Sequence, residues 1–138
     1  KLAQENISVD MIIQSYARKT SNTNDIAFTV NKSDLPKAEA LLEEVRQSLN
    51  AGSVKIDDNI AKVSIIGAGM IDRPGIASTM FKTLADSDIN IRMISTSEIK
   101  ISCLINKEYA QKAVKALHEV FNLGSDEIAE VNGTLPDV

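Results

Sequence analysis

The chain has 138 residues, 43% hydrophobic and 25% charged, a balance that suits one ordinary domain or two small ones rather than a disordered segment. Asp plus Glu outnumber Lys plus Arg by 19 to 15, and the net charge of -4 argues against a protein that coats nucleic-acid phosphates. One Cys and one His leave no internal disulfide, no Cys-based zinc site and no His cluster, and no apolar run approaches the ~18 residues of a membrane span. No basic stretch leads into an apolar one as in a signal peptide, so the expected setting is the reducing cytoplasm.

In chain order, Ile7–Gln14 and Asp25–Val30 read as strands. Asp34 is placed to cap a helix from Leu35 to about Leu49, with Pro36 in its first turn. Val54–Ile56 follows as a short closing strand. Lys62–Gly67 is a β-branched apolar run, hence a strand. Asp72 is placed as the cap of a helix over Pro74–Ala85, whose Ile76, Met80, Phe81 and Leu84 recur at helical spacing. Ile89–Ser95 alternates as a half-buried strand, and Ile99, Ile101, Cys103 and Ile105 alternate in the next. The short link Thr96-Ser97-Glu98 predicts a hairpin between them. Ala110, Ala113, Val114, Leu117, Val120 and Phe121 form the stripe of a third helix, the second of this later stretch, that stops near Gly124.

These elements repeat. Leu2, Ala3, Ile7, Met11, Ile12 and Ser15 match Leu84, Ala85, Ile89, Met93, Ile94 and Ser97 at an offset of 82 residues. Val30-Asn31-Lys32 then meets Ile105-Asn106-Lys107, and Ala38, Leu42, Glu44 and Val45 meet Ala113, Leu117, Glu119 and Val120, at an offset of 75. The difference is a longer polar loop, Ala17 to Asp25, in the first copy. The copies imply an α+β fold: tandem βαββαβ units of ferredoxin-like type, with antiparallel sheets and helices on one face. Residues 1–58 form the first unit, and residues 59–138 the second with its C-terminal strand or tail. The first copy begins near the end of its first helix, so about 22 residues, its first strand and most of that helix, have no counterpart. The chain therefore reads as a fragment, or as one half of a larger assembly.

The motifs offer little catalytic chemistry. Gly67-Ala68-Gly69 between strand and helix resembles a dinucleotide fingerprint, but the third glycine falls on Asp72, and the next strand is antiparallel. A Gly-rich turn is the simpler reading. Such a loop into a helix N-terminus also offers free N–H groups to a small carboxylate. His118 has no nucleophile or orienting partner and reads as a surface residue. Cys103, in phase with Ile101 and Ile105, reads as core. Met11, Met80 and Met93 fall on apolar positions, and Glu39–Arg46 reads as a solvated helix face. No paired carboxylates or metal-spaced residues emerge.

The second copy carries more specific words. Gly67-Ala68-Gly69-Met70, Arg73-Pro74-Gly75, Asn90-Ile91, Ile94-Ser95-Thr96-Ser97-Glu98-Ile99 and Leu117-His118-Glu119-Val120-Phe121 resemble the C-terminal regulatory region of bacterial aspartate kinases. The segment Ile7 to Gln14 is similar to the first ACT domain of that family. The resemblance covers nearly the whole chain and implies tandem ACT domains that bind lysine, threonine or both between paired domains. It implies a homodimer by ACT pairing, joined to a kinase domain or a catalytic α subunit that phosphorylates aspartate. ATP and Mg would belong to that kinase part, with no cofactor in this segment. The implied effector contacts are the loop Met70, Ile71, Asp72, Arg73, Pro74 and Gly75, then Asn90, Ile91 and Ser97, with Asp10 and Gln14 in the first copy. Asp88 stands where the family often has Asn, and its carboxylate would favour an ammonium. Two other readings remain at this point: an ACT module that only holds a dimer together, and an ACT sensor attached to another enzyme. No nucleic acid or membrane partner is expected.

Overall fold

Alternating β-branched runs and three helical segments set the order of elements. The computed structural model describes residues 1–15, 24–68, 70 and 73–124. The chain divides into two units, Lys1–Asp58 and Asn59–Val138. The first holds a 3-10 turn at Leu2–Glu5, strands β1 (Val9–Ser15) and β2 (Asp25–Val30), and helix α1 (Leu35–Ser48). The second holds β3 (Ile60–Ile66), α2 (Ile76–Asp86), β4 (Met93–Thr96), β5 (Lys100–Asn106) and α3 (Ala110–Val120). This is the β-α-β-β-α order read from the second copy. Among the described residues every strand pairing is antiparallel.

In the second unit β5 lies between β3 and β4. The register runs from Ile60 opposite Asn106 to Ile66 opposite Lys100, and from Met93 opposite Leu104 to Thr96 opposite Ile101. The two-residue period puts Ile101, Cys103 and Ile105 on one face. There they meet Val63, with Met80 and Leu84 of α2 and Ala113 and Leu117 of α3, in a single buried cluster. Both helices therefore cover the same face. On the other face Ser102 is buried as well, and its hydroxyl is satisfied by the Ser64 hydroxyl at 2.8 Å.

The first unit repeats the later part of that plan. β1 and β2 pair from Ser15 opposite Asp25 to Val9 opposite Val30, with a bulge between Val9 and Ile12. A 3-10 turn at Lys32–Asp34 leads into α1, as Lys107–Tyr109 leads into α3. Among the described residues this unit has no counterpart of β3 and α2. Ile26 is 63% exposed, whereas its repeat counterpart Ile101 is 5% exposed.

Several boundaries differ from the sequence reading, each for a local reason. Residues 54–56 form no strand; Ile56 is 41% exposed and none of the three is buried, so alternation there has no buried face to drive pairing. The helix read from Pro74 begins at Ile76, because Gly75, at φ 99°, turns the chain into it and leaves Pro74 in the preceding turn. Asp34 occupies the cap position of α1 but makes no side-chain capping bond, since the 3-10 turn before it already carries the chain into the helix. β4 starts at Met93 rather than Ile89: Ile89 is buried in the core and Ile91 packs against it. Val114 and Val120 are about half exposed, although they share the stripe of Ala113 and Leu117. The polar loop at 17–23 and the tail beyond 124 lie outside the described residues.

Candidate functional site

The end of β3 opens into the glycine-rich loop. The Gly67 amide donates to the Ile99 carbonyl at 2.9 Å, which ties the loop to the β4–β5 hairpin. The Met70 amide donates to Gly67 and the Arg73 amide to Met70, each at 3.3 Å, so the segment turns on itself before the helix. Met70 packs against the core, Arg73 is half-buried, and Pro74 and Gly75 are exposed. Ser97 sits at the hairpin tip, where its amide donates to the Lys100 carbonyl at 2.7 Å and its hydroxyl to the same oxygen at 3.4 Å. Ile71 and Asp72 lie outside the described residues, so the capping role read for Asp72 does too.

Asp88, Asn90 and Ile91 lie at the other end of the sheet. α2 carries the chain away from the loop, and the return path enters the sheet where the Arg92 amide donates to the Leu104 carbonyl at 2.8 Å. The length of β5, roughly 20 Å at ~3.3 Å per residue, separates this turn from the hairpin tip. Asp88 adopts the left-handed conformation with φ 55°. Asp88 and Asn90 are exposed and Ile91 is half-buried. Within the second unit, then, the structure gathers Met70, Arg73, Pro74, Gly75 and Ser97 at one end and Asp88, Asn90 and Ile91 at the other. Asp10 and Gln14 belong to the first unit. Both are exposed on β1, Asp10 at the bulge and Gln14 opposite Ile26.

This arrangement offers hydrogen-bond groups and little reactivity. Cys103 is fully buried, and desolvation pushes its thiol up to about 11. His118 is exposed on α3, beside a shallow open depression that contains none of the candidate residues. Among the described residues no His, Cys, Asp and Glu side chains group to hold a metal ion, and no helix is long and apolar enough to cross a membrane. One residue escaped the sequence reading. Lys112, on α3, donates to the Ser87 carbonyl at 2.6 Å, directly before Asp88. The repeat carried the signal, since Lys37 is its counterpart.

An ACT-domain family model matches residues 63–121. The regulatory subunit of aspartate kinase from Thermus thermophilus, in its ligand-free form, is 39% identical, with a TM-score of 0.78 over 87% of this chain and 78% of that one. The chain belongs to the ACT-domain regulatory region of the aspartokinase family. An aspartokinase from Corynebacterium efficiens is 43% identical over 130 residues, covering 94% of this chain and 31% of the relative. The chain thus spans about a third of that aspartokinase's length. The structure of E. coli aspartokinase III in complex with lysine and aspartate is 29% identical, with a TM-score of 0.61 over 90% of this chain and 26% of that one. Membership in this regulatory region makes the dinucleotide reading of the glycine loop unnecessary.

Proposed function

We propose that this segment is the allosteric module of an aspartate kinase, and that it binds lysine, threonine or both between paired ACT domains to impose feedback inhibition. The observation that carries this reading is the division of the candidate contacts between opposite ends of one sheet. A single unit presents half a pocket at each end. Two such units paired in opposite directions would place the loop of one beside the Asn90-type turn of the other. An amino-acid zwitterion needs donors for its carboxylate and acceptors for its ammonium. The α2 N-terminus with its loop supplies the first, and Asp88 or Asn90 the second. Burial between domains strengthens these bonds relative to an open surface.

The lysine bound in the E. coli aspartokinase III structure supports an amino-acid effector of this class. In this proposal the kinase part, on the same chain or on a separate α subunit, uses ATP and Mg to phosphorylate the side-chain carboxylate of aspartate. This segment takes no part in that chemistry. The effector stabilises one arrangement of the paired domains, and the kinase part responds to that population.

The test is a thermal melt of the chain with L-lysine, L-threonine, both or neither. A ligand that binds the folded state raises the midpoint. A rise with one amino acid names the effector. No rise with either, repeated in the complete kinase together with inhibition assays, would leave the module with assembly alone.

A further inference from the structure

We propose that Lys112 is a positioning residue that sets the turn carrying Asp88, Asn90 and Ile91; the inference rests on the effector-binding reading above. At the end of α2 the Ser87 amide donates to Thr83, the Asp88 amide to Ala85 at 2.9 Å, and the Ile89 amide to Leu84 at 2.9 Å. These bonds satisfy carbonyls of the last turn. The Ser87 carbonyl takes its bond from outside the helix, from the Lys112 ammonium at 2.6 Å. The charge also sits at the negative end of the α2 dipole. Asp86 is already held by Lys82 at 2.8 Å.

The first unit contains the same device. Lys37 donates to the Glu5 carbonyl at 3.1 Å, and these residues are the repeat counterparts of Lys112 and Ser87. There the lysine also pairs with the Glu5 carboxylate at 2.8 Å. Ser87 replaces that glutamate, so among the described residues the corresponding lysine of the second unit is tied to the main chain alone. A bond to the main chain orients the turn itself. On its far side Ile89 is anchored in the core. Between and beyond these two fixed points, Asp88 and Asn90 are exposed and their side chains make no hydrogen bond among the described residues. They are held in place by the backbone and open to a ligand.

The test compares the chain with its Lys112→Met and Lys112→Arg variants. Three quantities are read: amide exchange at Asp88 and Ile89, the melt midpoint, and calorimetric affinity for L-lysine and L-threonine. Lys112→Met is expected to speed exchange at both amides and to weaken binding about fivefold, the net worth of one typical hydrogen bond at an exposed site. Lys112→Arg, which retains a cationic donor, is expected to restore both. Unchanged affinity in Lys112→Met, with or without faster exchange, overturns the positioning role. Equal loss in both variants also overturns it. Binding of neither amino acid by the unaltered chain, and again by the complete kinase, overturns the effector reading, and this inference falls with it.

Discussion

Asn6 and Asp88 hold the same backbone conformation, φ 56° and 55°, at the same place in the two repeats. The Asn6 amide donates to Ala3 and the Ile7 amide to Leu2; the Asp88 amide donates to Ala85 and the Ile89 amide to Leu84. Each pair of donors and acceptors corresponds at the repeat offset. The copies therefore share a helix-ending turn, and the turn delivers Ile7 and Ile89 alike into buried positions. Left-handed backbone is costly for most side chains, and Asn and Asp tolerate it better than other non-glycine residues.

The first prediction concerns the difference between these two residues. Asp88 places a negative charge at the negative end of the α2 dipole, whereas Asn6 is neutral. Asp88→Asn keeps the turn and removes the charge, so it should stabilise the second unit by about 0.5 kcal/mol. Asp88→Val should destabilise it by more than ~1 kcal/mol, because a β-branched residue resists positive φ. Denaturant melts of the three proteins check both signs. If Asp88 receives the effector ammonium, Asp88→Asn should also weaken binding while it raises the midpoint. Stability and affinity moving together would count against that role.

Much of this architecture was legible because its hydrophobic periods are clean. Ile101, Cys103 and Ile105 alternate, so their strand and its buried face could be read directly. The same logic overshot at Ile89. Alternation shows which side chains are buried, but it does not distinguish a paired strand from a turn anchored by its side chains. Nor does a helical stripe say what covers it, and Val114 and Val120 stand about half exposed on theirs. The helix start was misplaced because Pro74 and Gly75 are adjacent and only backbone angles reveal which one makes the turn. The separation of Ser97 from Asn90 was implicit in the strand order. The Lys112 bond was not visible, because hydropathy carries no information about a lysine's backbone partner.

Gly75 supplies a second prediction. Its φ of 99° lies where an L side chain is strained, and α2 begins at the next residue. Gly75→Ala should cost about 1–2 kcal/mol. It should also disturb the loop that leads into the free N–H groups of the helix. A lowered midpoint with weaker amino-acid binding is the expected pair of results. A variant as stable as the original would mean that the turn adopts another conformation in solution.

The core makes a third. Leu84 of α2 is fully buried in the cluster that also holds Cys103 and Leu117. Leu84→Ala removes buried methyl groups and leaves a cavity, at a cost of about 2–5 kcal/mol. Urea unfolding should show this as an earlier transition of the second unit. A loss below ~1 kcal/mol would argue that α2 is only loosely seated on the sheet.

The pH dependence of stability should be set from opposite directions at its two limits. Burial raises the Cys103 thiol from 9.0 to about 11. Between those values the folded chain keeps a proton that the unfolded chain has lost, so the thiol's contribution is intact below pH ~9 and fades as pH rises toward 11. On α1, hydrogen bonds from Arg46, then from Gln47, lower Glu43 from 4.5 to about 2. That contribution is present above pH ~4.5 and is lost as pH falls toward 2. Because Glu43 is at the surface, salt should shrink its effect, whereas the thiol's effect should persist. Melts across pH 2 to 11 check both limbs. Cys103→Ala should flatten the alkaline fall and leave the acid limb alone, and Glu43→Gln should do the reverse. Reaction of Cys103 with a thiol reagent only in the unfolded chain would confirm that the thiol is closed to solvent in the folded one.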